Sequence, residues 1–388
     1  MLTIAPISFK NTYSVQSVKR NGVKSATANC ERNLPQNAPY AAYNINLASQ
    51  PSFQQRLIGD IEFEEYNVLV DKEKEYLRYL YANFYELTDV NELHFKRDKN
   101  IDKLPLSSEE DMKDFLKVAA GYNKYREHKI ICVGRSPKWF LNTSLWMKDG
   151  IENYSFAAFS GNWYRRNRQG LGPTQYKDES KMPTEKEYKM YKKYMKSLNC
   201  DPASIVKHAK KSGKPVIITD YIHSGCGLAS YLDLMSRMAE EQGVLDEFAH
   251  SIKLFTMASV EYLDDMGYDN WYYYPRVILP ERLKPYDKVI EQEYHDMSAN
   301  VLKSILIDKN TNECRSTYYP HSAWTVYNPM KYKTGIISEE KLKEMPRVRD
   351  GEVNTFTDAM KDYRNLMNFR ILDYLSENDL LKEKHRTR

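Results

Sequence analysis

The sequence predicts an α/β protein with a mostly parallel sheet, and helical additions at both ends. Three observations support this prediction. Apolar runs typical of buried strands occur at 129–134, 154–160, 216–218 and 251–258, helix-like patterns separate them, and polar residues follow their carboxyl ends. Strands that alternate with helices along a chain usually pair in parallel, with helices covering both faces of the sheet.

The predicted sheet occupies the middle of the chain. A fifth strand is expected at 276–279. The polar, weakly periodic residues 1–55 are expected to form a poorly ordered leader. Helical patterns at 61–87, 107–121, 294–307 and 356–375 lie outside the predicted core. The resulting division is a leader at 1–55, a helical cap or insertion at 56–125, an α/β core at 126–284 and a helical extension at 285–388.

The composition of the sequence limits the cellular environment and the classes of binding partner that we expect. The sequence lacks a run of 18 or more apolar residues and a basic, apolar secretory signal at its start, so no membrane partner is expected. The five cysteines are scattered without a CxxC spacing, which favours a reducing, cytoplasmic setting. A net charge of +4 does not indicate a nucleic-acid partner.

Residues 214–231 carry the clearest chemical signal. The strand 216–218 runs into Asp220, a short loop contains Gly225 and Gly227, and a helical pattern begins at Leu228. Glycine lets backbone N–H groups approach an anion closely, and a helix start adds partial positive charge. Because a carboxylate can accept hydrogen bonds from sugar hydroxyls, this arrangement predicts a sugar-phosphate site.

This stretch resembles the motif with which type I phosphoribosyltransferases bind phosphoribosyl pyrophosphate (PRPP). In that family a strand ends in two acids, followed by two apolar residues, a variable residue and a phosphate loop. Here Thr219-Asp220, Tyr221-Ile222, His223 and Ser224-Gly225-Cys226-Gly227 occupy those positions in order. Thr219 replaces the first acid and Gly227 the closing hydroxyl residue. Losing one acid puts catalysis in doubt more than fold.

The resemblance implies a Rossmann-like sheet of phosphoribosyltransferase type. It also implies an enzyme that uses PRPP and Mg²⁺ to form or cleave an N-glycosidic bond to a base-like acceptor. Thr219 and Asp220 would bind the ribose, and Ser224, Gly225, Cys226, Gly227 and Leu228 would bind the 5′-phosphate. Mg²⁺ would arrive with the small-molecule substrate instead of on direct protein ligands. A homodimer is compatible with this interpretation.

Two upstream loops are candidates for the pyrophosphate. Gly134, Arg135 and Ser136 follow the first core strand, where the resembling family binds pyrophosphate. Arg165, Arg166 and Arg168 lie in a glycine-flanked loop where that family has a mobile hood. Each loop also has an alternative interpretation that involves no pyrophosphate. The first can be an ordinary strand-to-helix turn, and the second a solvated basic loop or a nucleic-acid patch.

Two further assignments depend on the same resemblance. His223 could assist proton transfer together with the catalytic candidates Asp220 and Arg135, or it could be a structural hydrogen-bond donor. Trp271 and Tyr272, in an aromatic run, are candidates for stacking on the acceptor base, although such runs more often pack inside a protein.

Other classes of protein fit less well. A nucleophilic hydrolase could use His223, Ser224 and Cys226, but no G-x-S-x-G elbow surrounds the serine. A dinucleotide site would need G-x-G-x-x-G, and residue 230 is serine. The main alternative is a catalytically inactive regulator of the same fold that binds a nucleotide or PRPP, which Thr219 favours and the basic loops oppose.

Overall fold

A parallel sheet lies at the centre of the computed structural model. It has five strands, and its neighbouring strands run parallel in the order β2-β1-β5-β6-β7. A separate antiparallel pair, β3 and β4, is called the ribbon below. The strands are β1 (Ile130–Val133), β2 (Ser155–Ala157), β3 (Tyr164–Asn167), β4 (Thr174–Lys177), β5 (Val216–Tyr221), β6 (Ile252–Ala258) and β7 (Gln292–Asp296). The structure describes residues 63, 66–82, 106–134, 137–157, 159, 161–167, 174–261, 276–305 and 358–383. The parallel sheet and the helices connecting its strands confirm the prediction of an α/β protein.

Helices flank this sheet, and two of them begin at side-chain caps. Ser108 caps its helix by accepting a hydrogen bond from the Asp111 backbone, and Thr184 forms a reciprocal capping box with Glu187. The helices are α1 (Asp71–Ala82), α2 (Glu109–Ala120), α3 (Lys138–Trp146), α4 (Glu185–Ser197), α5 (Pro202–Ser212), α6 (Cys226–Glu241), α7 (Leu245–His250), α8 (Ala299–Ile305) and α9 (Asp358–Glu377). Among the described helices, none has the length and apolar character needed to cross a membrane.

The order in which the chain adds strands to the sheet reverses between β1 and β5, although all five strands run parallel. From β1 the chain goes outward to β2, returns past β1 to β5, and then continues to β6 and β7 on the other side. In open parallel sheets the crevice for ligands forms at such a reversal, beyond the carboxyl ends of the two strands. Gly134 follows β1 and Asp220 lies near the end of β5, so both occupy this position.

The fifth strand differs from the prediction. Residues 276–279 form no strand; instead, the Val277 backbone exchanges two hydrogen bonds with the side chain of Gln292, at 2.8 and 3.1 Å. The fifth strand is the polar β7, which includes Tyr294, a residue predicted to start a helix. β7 is an edge strand, and edge strands tolerate charged residues, so the apolar pattern that reveals an inner strand is absent. This strand lies within the segment assigned to the C-terminal extension.

Candidate functional site

The turn after β1 lies directly against Asp220. Gly134 has a backbone φ of +78°, and a Cβ atom added there would lie 3.1 Å from Asp220 Oδ1. Its N–H also donates to the Ala157 carbonyl at 3.3 Å, which holds the turn to the end of β2. Both the backbone conformation and the limited space therefore favour glycine here. The structure thus brings together two residues that lie far apart in the sequence.

The carboxyl of Asp220 lies in an environment that disfavours its charged form. Burial raises the pKa of its carboxyl well above the usual range, although a hydrogen bond from the Tyr221 backbone opposes the shift. The residue keeps partial contact with solvent. A protonated carboxyl can donate as well as accept hydrogen bonds, which suits a sugar hydroxyl. A cation brought in beside it would favour the ionised form instead.

Thr219 does not offer its hydroxyl to the crevice. Its side chain is fully buried, and its Oγ1 lies 2.6 Å from the Tyr122 hydroxyl in a hydrogen bond. Burial raises the pKa of Tyr122, so the phenol stays neutral. Successive residues of a strand point to opposite faces of the sheet, which explains why Thr219 and Asp220 have different surroundings.

The glycine turn after β5 leads directly into α6. Gly225 has a φ of +73° and precedes the first helical residue, Cys226, whose N–H donates to Ser224 Oγ at 3.4 Å. The first intrahelical bond runs from the Ala229 N–H to the Gly225 carbonyl. The amides of Gly227 and Leu228 lie in the first turn, where backbone N–H groups have no intrahelical acceptor. The structure thus places a left-handed glycine and the unbonded amides of a helix start where the sequence predicts a phosphate loop, and the binding of phosphate there stays a prediction.

One of the predicted hood arginines lies on this glycine turn. The Nε of Arg166 donates to the Ser224 carbonyl at 2.9 Å, and its Nη2 lies 3.5 Å from where a Cβ of Gly225 would be. The side chain is buried, with 8% of its surface exposed. The ribbon therefore places a guanidinium beside a helix N-terminus, and both features favour an anion.

The neighbouring arginine is used differently. The Nη1 of Arg165 donates to the carbonyls of Asn162 and Tyr164, at 2.7 and 2.9 Å, within its own segment. Alternation along β3 sends the two adjacent side chains to opposite faces of the ribbon. Of these two, Arg166 is the one that bonds the glycine turn, through the Ser224 carbonyl.

The remaining predicted residues have the following placement. His223 is half-buried in the turn, and the Cys226 thiol is buried with its Sγ 3.9 Å from the Ser224 carbonyl. Burial on this scale fits a small packing residue better than a nucleophile. Five predicted residues lie outside the described part of the chain: Arg135, Ser136, Arg168, Trp271 and Tyr272.

Sequence reasoning missed three residues near the site. Lys138, the first residue of α3, is 4% exposed and holds its ammonium 4.6 Å above the Phe156 ring. Tyr122 forms a hydrogen bond with Thr219, and the Ser230 hydroxyl of α6 accepts hydrogen bonds from the backbone at the start of the ribbon. A lysine next to a proline-ended turn carried no signal of burial. The other two contacts join residues that are distant in the sequence, so periodicity could not reveal them.

Comparison with known proteins adds no identification. No family model matches the sequence, and neither the curated proteins nor the solved structures contain a significant match.

Proposed function

We propose that the chain binds a phosphoribosyl compound, PRPP with Mg²⁺, and acts as a glycosyltransferase of phosphoribosyltransferase type. The observation that carries the proposal is the contact between the Gly134 turn and Asp220, at the point where the strand order of the sheet reverses. The glycine turn of α6, reached within five residues of Asp220, supplies the phosphate end of the site. Ligands of open parallel sheets bind at this position.

The 5′-phosphate would bind at the start of α6. The backbone amides of Gly227 and Leu228, the Ser224 hydroxyl and the guanidinium of Arg166 surround this position. A phosphate there meets a fixed positive charge and the partial charge of a sixteen-residue helix. Asp220 would then hold ribose hydroxyls.

The pyrophosphate end would use the Gly134 turn, with Arg135 and Ser136 as further donors. The reaction is a displacement at the anomeric carbon through an oxocarbenium-like transition state. The bond from that carbon to a pyrophosphate oxygen breaks, and a bond to a nitrogen of the acceptor forms. Positive groups stabilise the charge that develops on the leaving pyrophosphate. His223 would be the candidate for taking the acceptor proton.

Mg²⁺ fits this arrangement as a companion of the substrate. Mg²⁺ keeps several waters and binds readily to substrate phosphates, so it would enter on the phosphate oxygens of PRPP, beside the partly exposed Asp220 carboxyl and without a direct protein ligand. When bound, the ion would neutralise the leaving pyrophosphate. The protein residues would position the ribose and the 5′-phosphate.

A regulator that binds the same compound without turning it over is the second candidate. The specific observation in its favour is the Thr219–Tyr122 hydrogen bond, because it leaves Asp220 as the one member of the motif pair facing the crevice. A single carboxyl holds ribose less firmly than a pair would. Binding without catalysis follows naturally from this arrangement.

Calorimetric titration with PRPP and Mg²⁺ tests the binding site. We expect Asp220→Ala to weaken binding at least tenfold, whereas Asp246→Ala, a change at an exposed residue of α7, should leave binding unchanged. Equal binding by wild type and Asp220→Ala would reject the assignment. Pyrophosphate release in the presence of candidate bases would then separate the enzyme from the regulator.

A further inference from the structure

Ser230 uses its whole hydrogen-bonding capacity on backbone groups. Its buried hydroxyl donates to the Cys226 carbonyl at 2.8 Å and accepts from the Trp163 and Tyr164 N–H groups at 3.1 and 3.3 Å. A serine hydroxyl has one donor and two acceptor positions, so all three are occupied. The residue thereby joins the first turn of α6 to the start of the ribbon.

A second contact reinforces this junction one helical turn further along. Asp233 accepts from the Trp163 indole at 3.0 Å and pairs with Lys177 at 2.9 Å. Trp163 precedes β3 and Lys177 ends β4, so α6 holds both strands of the ribbon. The base of the ribbon is therefore docked on the helix that begins at the glycine turn.

We propose that Ser230 is a positioning residue that places Arg166 at the anion site of α6. Arg166 lies two residues beyond Tyr164 on the same strand, and its Nε bonds the Ser224 carbonyl at 2.9 Å. A shift of the ribbon along α6 moves the guanidinium away from the turn. This inference rests on the proposed function, because it assumes that a phosphate binds there.

A double-mutant cycle tests whether Ser230 acts through Arg166. We expect Ser230→Ala to weaken binding of PRPP with Mg²⁺ about tenfold, since two backbone hydrogen bonds to the ribbon are lost. In the Arg166→Gln background the same change should have almost no further effect on affinity. Ser236→Ala is the matched control, because Ser236 is equally buried on α6 but donates only to the Asp233 carbonyl.

Additive effects of Ser230→Ala and Arg166→Gln on affinity would overturn the inference, since a merely structural serine would weaken binding in either background. So would equal losses of affinity in Ser230→Ala and Ser236→Ala.

Amide hydrogen exchange without ligand gives a reading that does not depend on PRPP. We expect Ser230→Ala to speed exchange at residues 163–166 about tenfold, and Ser236→Ala to leave it unchanged. Unchanged exchange in Ser230→Ala would overturn the positioning role even if the wild type binds PRPP. Failure of the wild type to bind PRPP would instead reject the proposed function, and with it the part of the inference that concerns the anion.

Discussion

Replacing Gly134 by alanine tests the central contact of the site. An L-residue in the left-handed region costs about 1–2 kcal/mol, and the reduced freedom of the unfolded chain returns about 0.4–1 kcal/mol. The new Cβ also lies 3.1 Å from Asp220 Oδ1, and moving that side chain off its rotamer adds about 0.5–1.5 kcal/mol. We therefore expect Gly134→Ala to lower the free energy of unfolding by about 2 kcal/mol.

Gly213 provides the matched control. Its φ is +68°, close to that of Gly134, but a Cβ there meets nothing within 4 Å. Gly213→Ala should therefore cost only the backbone strain, about 1 kcal/mol. Urea unfolding of both variants measures the difference, and titration with PRPP and Mg²⁺ should show weakened binding for Gly134→Ala alone. Equal stability losses, with equal binding, would refute the contact between the turn and Asp220.

Three further predictions concern buried polar groups. Because burial raises the folded-state pKa of Asp220, its charged form destabilises the protein increasingly as pH rises above the usual aspartate pKa. Asp220→Asn should therefore be more stable than wild type at neutral pH and lose that advantage in acid. Unfolding at a series of pH values checks this, and a stability difference that stays constant with pH would contradict it. Burial alone would raise the pKa of Glu293, but hydrogen bonds from Lys124 and Tyr125 outweigh it and lower that pKa to about 2. The carboxylate therefore contributes stability above pH 4.5 that is lost as pH falls toward 2. Glu293→Gln should remove that loss in an acid titration of stability. Tyr122→Phe should cost about 1 kcal/mol in urea unfolding by deleting the bond to Thr219, and no change would show that this bond contributes nothing.

The inner strands and the start of α2 could be predicted from the sequence because their signals are local. The run Val216–Ile218 is completely buried, and its β-branched residues reveal this directly. The caps at Ser108 and Thr184 follow from side chains within one turn of their helices. The glycine turn before Cys226 is local in the same sense.

The ribbon and the last strand could not be predicted because distant residues determine them. β3 contains Tyr164, Arg165 and Arg166, which show no apolar alternation, and side chains of α6 hold both β3 and β4. β7 is polar because it lies at the edge of the sheet. The same reasoning explains why Arg166, assigned to pyrophosphate from sequence order, lies on the turn predicted to hold the other phosphate.

The hydrogen bond between Tyr122 and Thr219 also sets a limit on protein engineering at this crevice. An obvious attempt to strengthen catalysis would install an acid at residue 219, next to Asp220. That acid would enter a closed interior against a phenol 97 positions away in the chain, on the face of the sheet opposite the proposed ribose site. A working redesign must therefore change residue 122 at the same time, or build its second carboxylate from another loop.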